Sequence, residues 1–121
     1  MAEIGCVFCR APSHRILTEN ALAFAIRNKA PVRPLHTLII SRRHVSDIFE
    51  TTASEREVIH ELAVFCRKAI CTEDPDVGGF NFGSNIGRVA GQKVMHAHVH
   101  LIPRRSDDPD LPAARPEGAG L

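Results

Sequence analysis

His96-Ala97-His98-Val99-His100-Leu101-Ile102-Pro103 carries three histidines at alternate positions. In an extended strand successive side chains point to opposite faces. This spacing therefore puts the three imidazoles on one face and Ala97, Val99 and Leu101 on the other. Neutral histidine is a poor hydrophobe and protonated neighbours repel, so the run is a poor packing surface and reads as chemistry. Strand rise separates the first ring from the third by about 13 Å, too far for both to bind one ion.

Two kinds of chemistry stay open to such a strand. A His-x-His pair can hold a catalytic metal, with a third ligand from elsewhere and one position left for water. Alternatively, the central ring attacks a substrate while a neighbouring hydrogen bond decides which nitrogen is free. Attack on phosphorus also needs donors for the developing charge. Just upstream, Gly87-Arg88-Val89-Ala90-Gly91-Gln92-Lys93 is a glycine-punctuated loop ending in an amide and an ammonium.

Outward from this segment, the 121 residues are 44% hydrophobic and 24% charged, as expected of one globular domain. A net charge of +1 excludes a strong whole-chain field for nucleic acid. Basic residues gather instead as Arg42-Arg43, Arg88, Lys93 and Arg104-Arg105, near the histidines, which suits a small anionic ligand. Apolar runs such as Leu38-Ile39-Ile40 fall far short of a membrane span. Residues 1–6 carry neither a basic n-region nor a long apolar h-region, so a cytoplasmic location with no membrane partner is expected.

In that setting Cys6-Val7-Phe8-Cys9 reads as a metal clip. A thioredoxin-type pair would open a helix after a strand, and nothing upstream of Cys6 can be that strand. Cys66 and Cys71 read as small buried residues.

Residues 15–19, 21–27 and 36–41 read as short strands, and the two prolines of Asn28-Lys29-Ala30-Pro31-Val32-Arg33-Pro34 make a loop between the last two. A short helical turn is expected over Ser46 to Glu50. From Ser54 to about Cys71, Val58, Leu62, Phe65, Cys66, Ala69 and Ile70 fall on one helical face. Ser54 and Glu57 resemble a capping box, and Lys68 suits the far end of the helix dipole. Phe80 to Asn85 reads as a strand leading to the glycine loop and the histidine strand. Residues 1–105 form the expected domain, and 106–121, rich in Asp, Pro, Ala, Arg and Gly, a mobile tail. One long helix between strands gives an α+β meander.

His96-Ala97-His98-Val99-His100-Leu101-Ile102 resembles the His-φ-His-φ-His-φ-φ signature of the histidine triad (HIT) superfamily of nucleotide hydrolases and transferases. The likeness covers roughly residues 4–107. It includes Gly91-Gln92 before the triad, Pro103-Arg104 after it, Asn85, the Asn28 to His36 stretch, Ser41-Arg42-Arg43-His44 and the N-terminal Cys6-x-x-Cys9.

The resemblance implies an α+β fold with about five antiparallel strands, one long and one short helix, and a two-fold homodimer. It implies that His98 attacks the substrate and carries a nucleotidyl-histidine intermediate, that His100 contacts the phosphate, and that His36 supports the triad from behind. Asn28 corresponds to a ribose-contacting position, and Asn85 and Gln92 to positions near the phosphates and the leaving group. Zinc-bearing relatives imply one structural zinc per chain on Cys6, Cys9, His44 and His96, a closed Cys2His2 set. The implied partners are purine nucleoside phosphoramidates or dinucleoside polyphosphates, not nucleic acid. A nucleotide-binding regulatory protein with little turnover and a metal-dependent hydrolase are the rival readings.

Two positions depart from the family pattern. Leu35 stands where glycine is common, which matters only if that position needs positive φ. Lys93 stands where many relatives carry serine or threonine, and would bind a longer polyphosphate as a point charge or point to solvent.

Overall fold

The computed structural model describes residues 5–110. Five strands, β1 (Ile16–Glu19), β2 (Ala23–Arg27), β3 (Thr37–Ser41), β4 (Val77–Gly83) and β5 (His98–Arg105), form one antiparallel sheet, and α1 (Ala53–Glu73) is its main helix. The strand order is β1-β2-β3-β5-β4. The expected α+β architecture is present, but not as a simple meander. β5 enters between β3 and β4, so the histidine strand is hydrogen-bonded on both sides and cannot shift its register freely.

Pleating then sorts the residues by face. Ala23, Ala25, Ile39, Val99 and Leu101 pack with Ile59, Leu62, Ala63, Cys66 and Ile70 of α1. On the opposite face Phe24, Ile26, Leu38 and Ile40 pack with Phe8, from the N-terminal loop. His98 pairs with Ile40 and His100 with Leu38, which places both rings on this second face, away from the helix. The alternation expected of the histidine run is thus realised. His96 and Ala97 precede the hydrogen-bonded ladder, and the strand proper starts at His98.

The helix begins two residues before the expected capping pair. Thr52, not Ser54, is the N-cap: its hydroxyl accepts from Glu55 N at 3.1 Å, and Glu55 Oε1 accepts from Thr52 N at 2.8 Å. Both pairs fit the same spacing. The Thr52 pair wins because Glu55 is buried and Arg43 grips it, Nε to Oε2 at 3.1 Å and Nη2 to Oε1 at 2.8 Å. The inward stripe is Ile59, Leu62, Ala63, Cys66 and Ile70. Phe65, expected to face inward, is 57% exposed, and Cys71, expected to be buried, is also exposed. Both lie one residue off that stripe, a rotation of about 100° around the axis. The helix runs on to Glu73, so Lys68 is outside its last turn, which has no basic residue.

Asp47 caps the short 3-10 turn Ile48–Glu50 by accepting from Phe49 N at 2.9 Å, where a helical turn over Ser46 to Glu50 is expected. After β5, residues 106–110, the first part of the expected tail, turn back on the sheet. Asp108 lies 3.5 Å from Arg33 and 3.3 Å from Arg104, and Asp110 pairs with Arg33 and, at 2.9 Å, with Arg104. The rest of the expected tail, 111–121, is outside the described residues.

Candidate functional site: a metal knuckle beside a histidine relay

Cys6, Cys9, His44 and His96 converge from the N-terminal loop, the segment after β3 and the approach to β5, with ligand atoms all within 4.8 Å of one another. His96 Nδ1 lies 3.3 Å from Cys6 Sγ, 3.5 Å from Cys9 Sγ and 3.1 Å from His44 Nδ1. Cys9 Sγ lies 3.2 Å from His44 Nδ1. Tetrahedral zinc, with Zn–N near ~2.0 Å and Zn–S near ~2.3 Å, has N–N edges of about 3.4 Å and N–S edges of about 3.6 Å. The four separations just given fall within about 0.4 Å of those edges.

Ser41 supports the cluster from outside: its carbonyl accepts from His96 Nε2–H at 2.6 Å, which leaves the Nδ1 lone pair aimed at the other three donors. Burial also lowers the His96 pKa and so favours the neutral ring that a metal requires. Arg43, beside His44, is anchored by the Glu55 contact to the first turn of α1.

Two residues on, His98 is oriented the other way. Its Nδ1–H donates to the His96 carbonyl oxygen at 2.7 Å, so the lone pair is on Nε2. The ring is 6% exposed, and burial lowers its pKa. The edge of Phe8 meets it with centroids 5.0 Å apart. Ser84, which sequence reasoning did not single out, donates its hydroxyl to the His98 carbonyl at 2.6 Å and holds the backbone there.

His100 joins a directed chain of hydrogen bonds. Val32 N–H donates to His36 Nδ1 at 3.1 Å, which places the His36 proton on Nε2. That proton faces His100 Nδ1 at 3.0 Å, so His100 in turn carries its own proton on Nε2. Burial, then the nearby His98 and His36, push the His100 pKa down to about 4, and burial lowers that of His36 as well.

The loop that presents Val32 also settles the Leu35 departure. Leu35 has φ 71, the left-handed region, so this position does require what glycine supplies at no cost. The strain of a left-handed leucine is about 1–2 kcal/mol. Packing of the Leu35 side chain against the helix-side core offsets part of it.

His36, His98 and His100 open onto a cavity of about 750 Å³, within the usual range for a small-ligand site. Val7, Phe8, Ile26 and Leu38 supply apolar wall, and Arg15, Lys29 and Lys93 supply positive charge; among the described residues that line it, none is acidic. Of the four expected substrate contacts, Asn28, Asn85 and Lys93 reach the cavity. Asn28 Oδ1 also accepts from Ala30 N at 3.0 Å and shapes the loop locally.

Gln92 does not reach it. Its side chain ties the glycine loop to the segment after β3, with Oε1 accepting from Gly87 N at 2.8 Å and Nε2 donating to Ser46 O at 2.6 Å and Val94 O at 3.0 Å. Gly87 and Gly91, at φ 88 and 97, give the loop its positive-φ corners. On the strand, His98 and His100 spend Nδ1 on the His96 carbonyl and on His36, which leaves Nε2 of each for a ligand.

A family model described as "HIT domain" matches residues 10–107. A HIT family protein from Bacillus anthracis has a similar structure, with a TM-score of 0.81 and 31% identity over 98% of this chain and 85% of that one. A Zn-bound histidine triad family protein from Mycobacterium smegmatis gives a TM-score of 0.77 and 28% identity, covering 87% and 78%. An adenosine 5'-monophosphoramidase of Schizosaccharomyces pombe is 31% identical over 109 residues, which are 87% of this chain and 78% of that protein. The triad, its strand and the extent of these matches make the chain a member of the HIT family.

Proposed function

We propose that the chain hydrolyses purine nucleoside phosphoramidates or dinucleoside polyphosphates through a nucleotidyl-histidine intermediate and releases the nucleoside monophosphate. One observation carries this reading: the neighbouring rings on β5 offer opposite functions to the same cavity, a lone pair on His98 Nε2 and a proton on His100 Nε2. His98 Nε2 attacks the α-phosphorus, and the bond from phosphorus to the leaving group breaks. The amine takes a proton from water as it leaves, a nucleotide leaves as its phosphate anion, and hydrolysis of the adduct later returns a proton to water. The adduct makes His98 an imidazolium, and its Nδ1–H, already on the His96 carbonyl, stabilises that charge. His100 Nε2–H donates to a phosphate oxygen, supported by His36. Water then cleaves the phosphorus–nitrogen bond and restores His98.

Asn28, Asn85 and Lys93 are the substrate-contacting candidates on the cavity wall, and Gln92 acts through the loop it braces. Cys6, Cys9, His44 and His96 would hold one structural zinc. When bound, that ion would supply a cross-link between the N-terminal loop, the segment after β3 and the approach to β5, with no open position for chemistry. Reduced thiols facing two imidazoles suit a cytoplasmic setting. The outer edge of β4 has no strand partner among the described residues and carries Phe82, 49% exposed, which supports a homodimer with the sheets joined there. No helix among the described residues is long and apolar enough to cross a membrane.

The test is incubation with a panel of adenosine and guanosine phosphoramidates and dinucleoside polyphosphates, followed by mass spectrometry of the denatured protein. The expected result is monophosphate release with a nucleotide mass on the peptide containing His98. Tight nucleotide binding with no release across the panel favours a regulatory binding protein instead. Prompt loss of turnover in chelator, with the fold retained, favours a metal-dependent hydrolase.

A further inference from the structure

The two thiol ligands are separated by Val7 and Phe8, and both of these residues line the cavity. Phe8 is 7% exposed and packs with Phe24, Ile26, Leu38 and Ile40, the apolar floor beneath the histidine face. Its ring meets His98 edge-on at 5.0 Å and 74°, and His96 at 5.9 Å and 77°. Among the described residues, backbone bonds within the loop run from Arg10 N to Cys6 O and from Ala11 N to Phe8 O, both at 3.3 Å. The sulfurs of Cys6 and Cys9 join it to the imidazoles of His44 and His96. A second route also joins the cluster to the nucleophile, because the His96 carbonyl accepts the His98 Nδ1 proton.

We infer that Phe8 is a positioning residue that couples metal loading at the Cys6/Cys9/His44/His96 cluster to nucleotide binding in the His98 cavity. Metal on the two sulfurs clamps the loop and with it the Phe8 ring against His98. The same clamp holds Val7 and Phe8 as cavity wall. Without the metal the loop is free to lift, the wall loosens, and nucleotide affinity drops. Thermodynamic linkage makes this reciprocal: bound nucleotide tightens metal binding by the factor with which metal tightens nucleotide binding. Only the nucleotide-binding part of the proposed function is required, not turnover.

Calorimetric titration with adenosine 5'-monophosphate tests this on the zinc-loaded protein, on protein stripped by chelator and checked for fold by circular dichroism, and on Phe8→Leu, with zinc content measured on each sample. The expected result is about tenfold weaker binding to stripped than to loaded wild-type protein, within the usual span of coupling between sites. Zinc-loaded Phe8→Leu should already bind weakly and change less than about twofold on stripping, since the coupling residue is gone. Equal affinity of loaded and stripped wild-type protein overturns the coupling and leaves the nucleotide reading intact. Full zinc dependence retained in Phe8→Leu overturns the role of Phe8. No binding by loaded wild-type protein overturns both. Should stripping or the substitution unfold the chain, the reciprocal measurement decides. Zinc affinity of the wild-type protein, against a competing chelator, should rise about tenfold with saturating monophosphate, and no rise overturns the coupling.

Discussion

His96 and His98 stand two residues apart and share the Phe8 ring as a neighbour, yet they serve different ends. His96 donates through Nε2 to the Ser41 carbonyl and turns Nδ1 toward two sulfurs and an imidazole. His98 donates through Nδ1 to the His96 carbonyl and turns Nε2 toward the cavity. Same residue type, same strand approach, opposite nitrogen. Which nitrogen each ring leaves open is therefore set by which backbone carbonyl takes its proton, and the proposed structural and reactive sites meet at a single peptide.

Removing the reactive side should have the largest effect on turnover and the smallest on stability. His98→Ala is expected to lower kcat by about 10⁴-fold or more, as for loss of other nucleophiles, with a Tm near wild type. Steady-state release of monophosphate and a thermal melt on the same sample measure both. A melt lowered as far as that of a zinc-ligand variant would erase the contrast between the two rings. Removing the metal side should invert the pattern: Cys9→Ser should lower stability by about 2 kcal/mol or more, roughly 10 °C in Tm for a domain of this size. Calorimetry with zinc analysis checks this.

His36→Ala tests the relay at intermediate strength, with an expected loss of about 10²-fold in kcat as His100 loses the partner that fixes its proton on Nε2. A pH series sharpens the same point. Folding pushes the His100 pKa down to about 4 from the ordinary imidazole value of 6.5. Between these values the unfolded chain binds more protons, so the His100 contribution is fully present above pH 6.5 and is lost as pH falls toward about 4. His100→Gln should flatten that part of the stability curve, and an unchanged slope would deny His100 its half-buried neutral state. The smallest effect belongs to Leu35→Gly. Relief of about 1–2 kcal/mol of left-handed strain is set against lost burial of a half-buried leucine, up to about 1.5 kcal/mol. The unfolding free energy from a denaturant titration should change by less than about 1 kcal/mol.

Much of this contrast was legible in the residues. Period-two spacing placed His98 and His100 on one face, and strand rise alone ruled out a single metal for all three rings. The split between zinc and phosphorus chemistry came from the family resemblance, since spacing cannot tell which nitrogen points where. What stayed hidden depended on long-range partners. Thr52 rather than Ser54 caps α1 because Arg43 draws Glu55 inward, and no local pattern encodes that reach. Gln92 looked like a substrate contact by position, but the loop consumes its amide. Phe8 carried a signal that went unused: an aromatic residue between two thiol ligands must follow wherever those ligands are tied. Leu35 departs from the family pattern by residue type, and its φ of 71 shows why glycine is common there.

The central claim, that His98 presents Nε2 as the nucleophile while its Nδ1 proton stays on the His96 carbonyl, is tested most directly by the regiochemistry of the trapped adduct. Protein labelled with ¹⁵N-histidine is reacted with an adenosine phosphoramidate, quenched, and examined by ³¹P–¹⁵N correlation. The account predicts a single phosphorus–nitrogen linkage, on His98, through Nε2. A linkage through Nδ1, an adduct on His96 or His100, or steady turnover with no histidine adduct formed would contradict it.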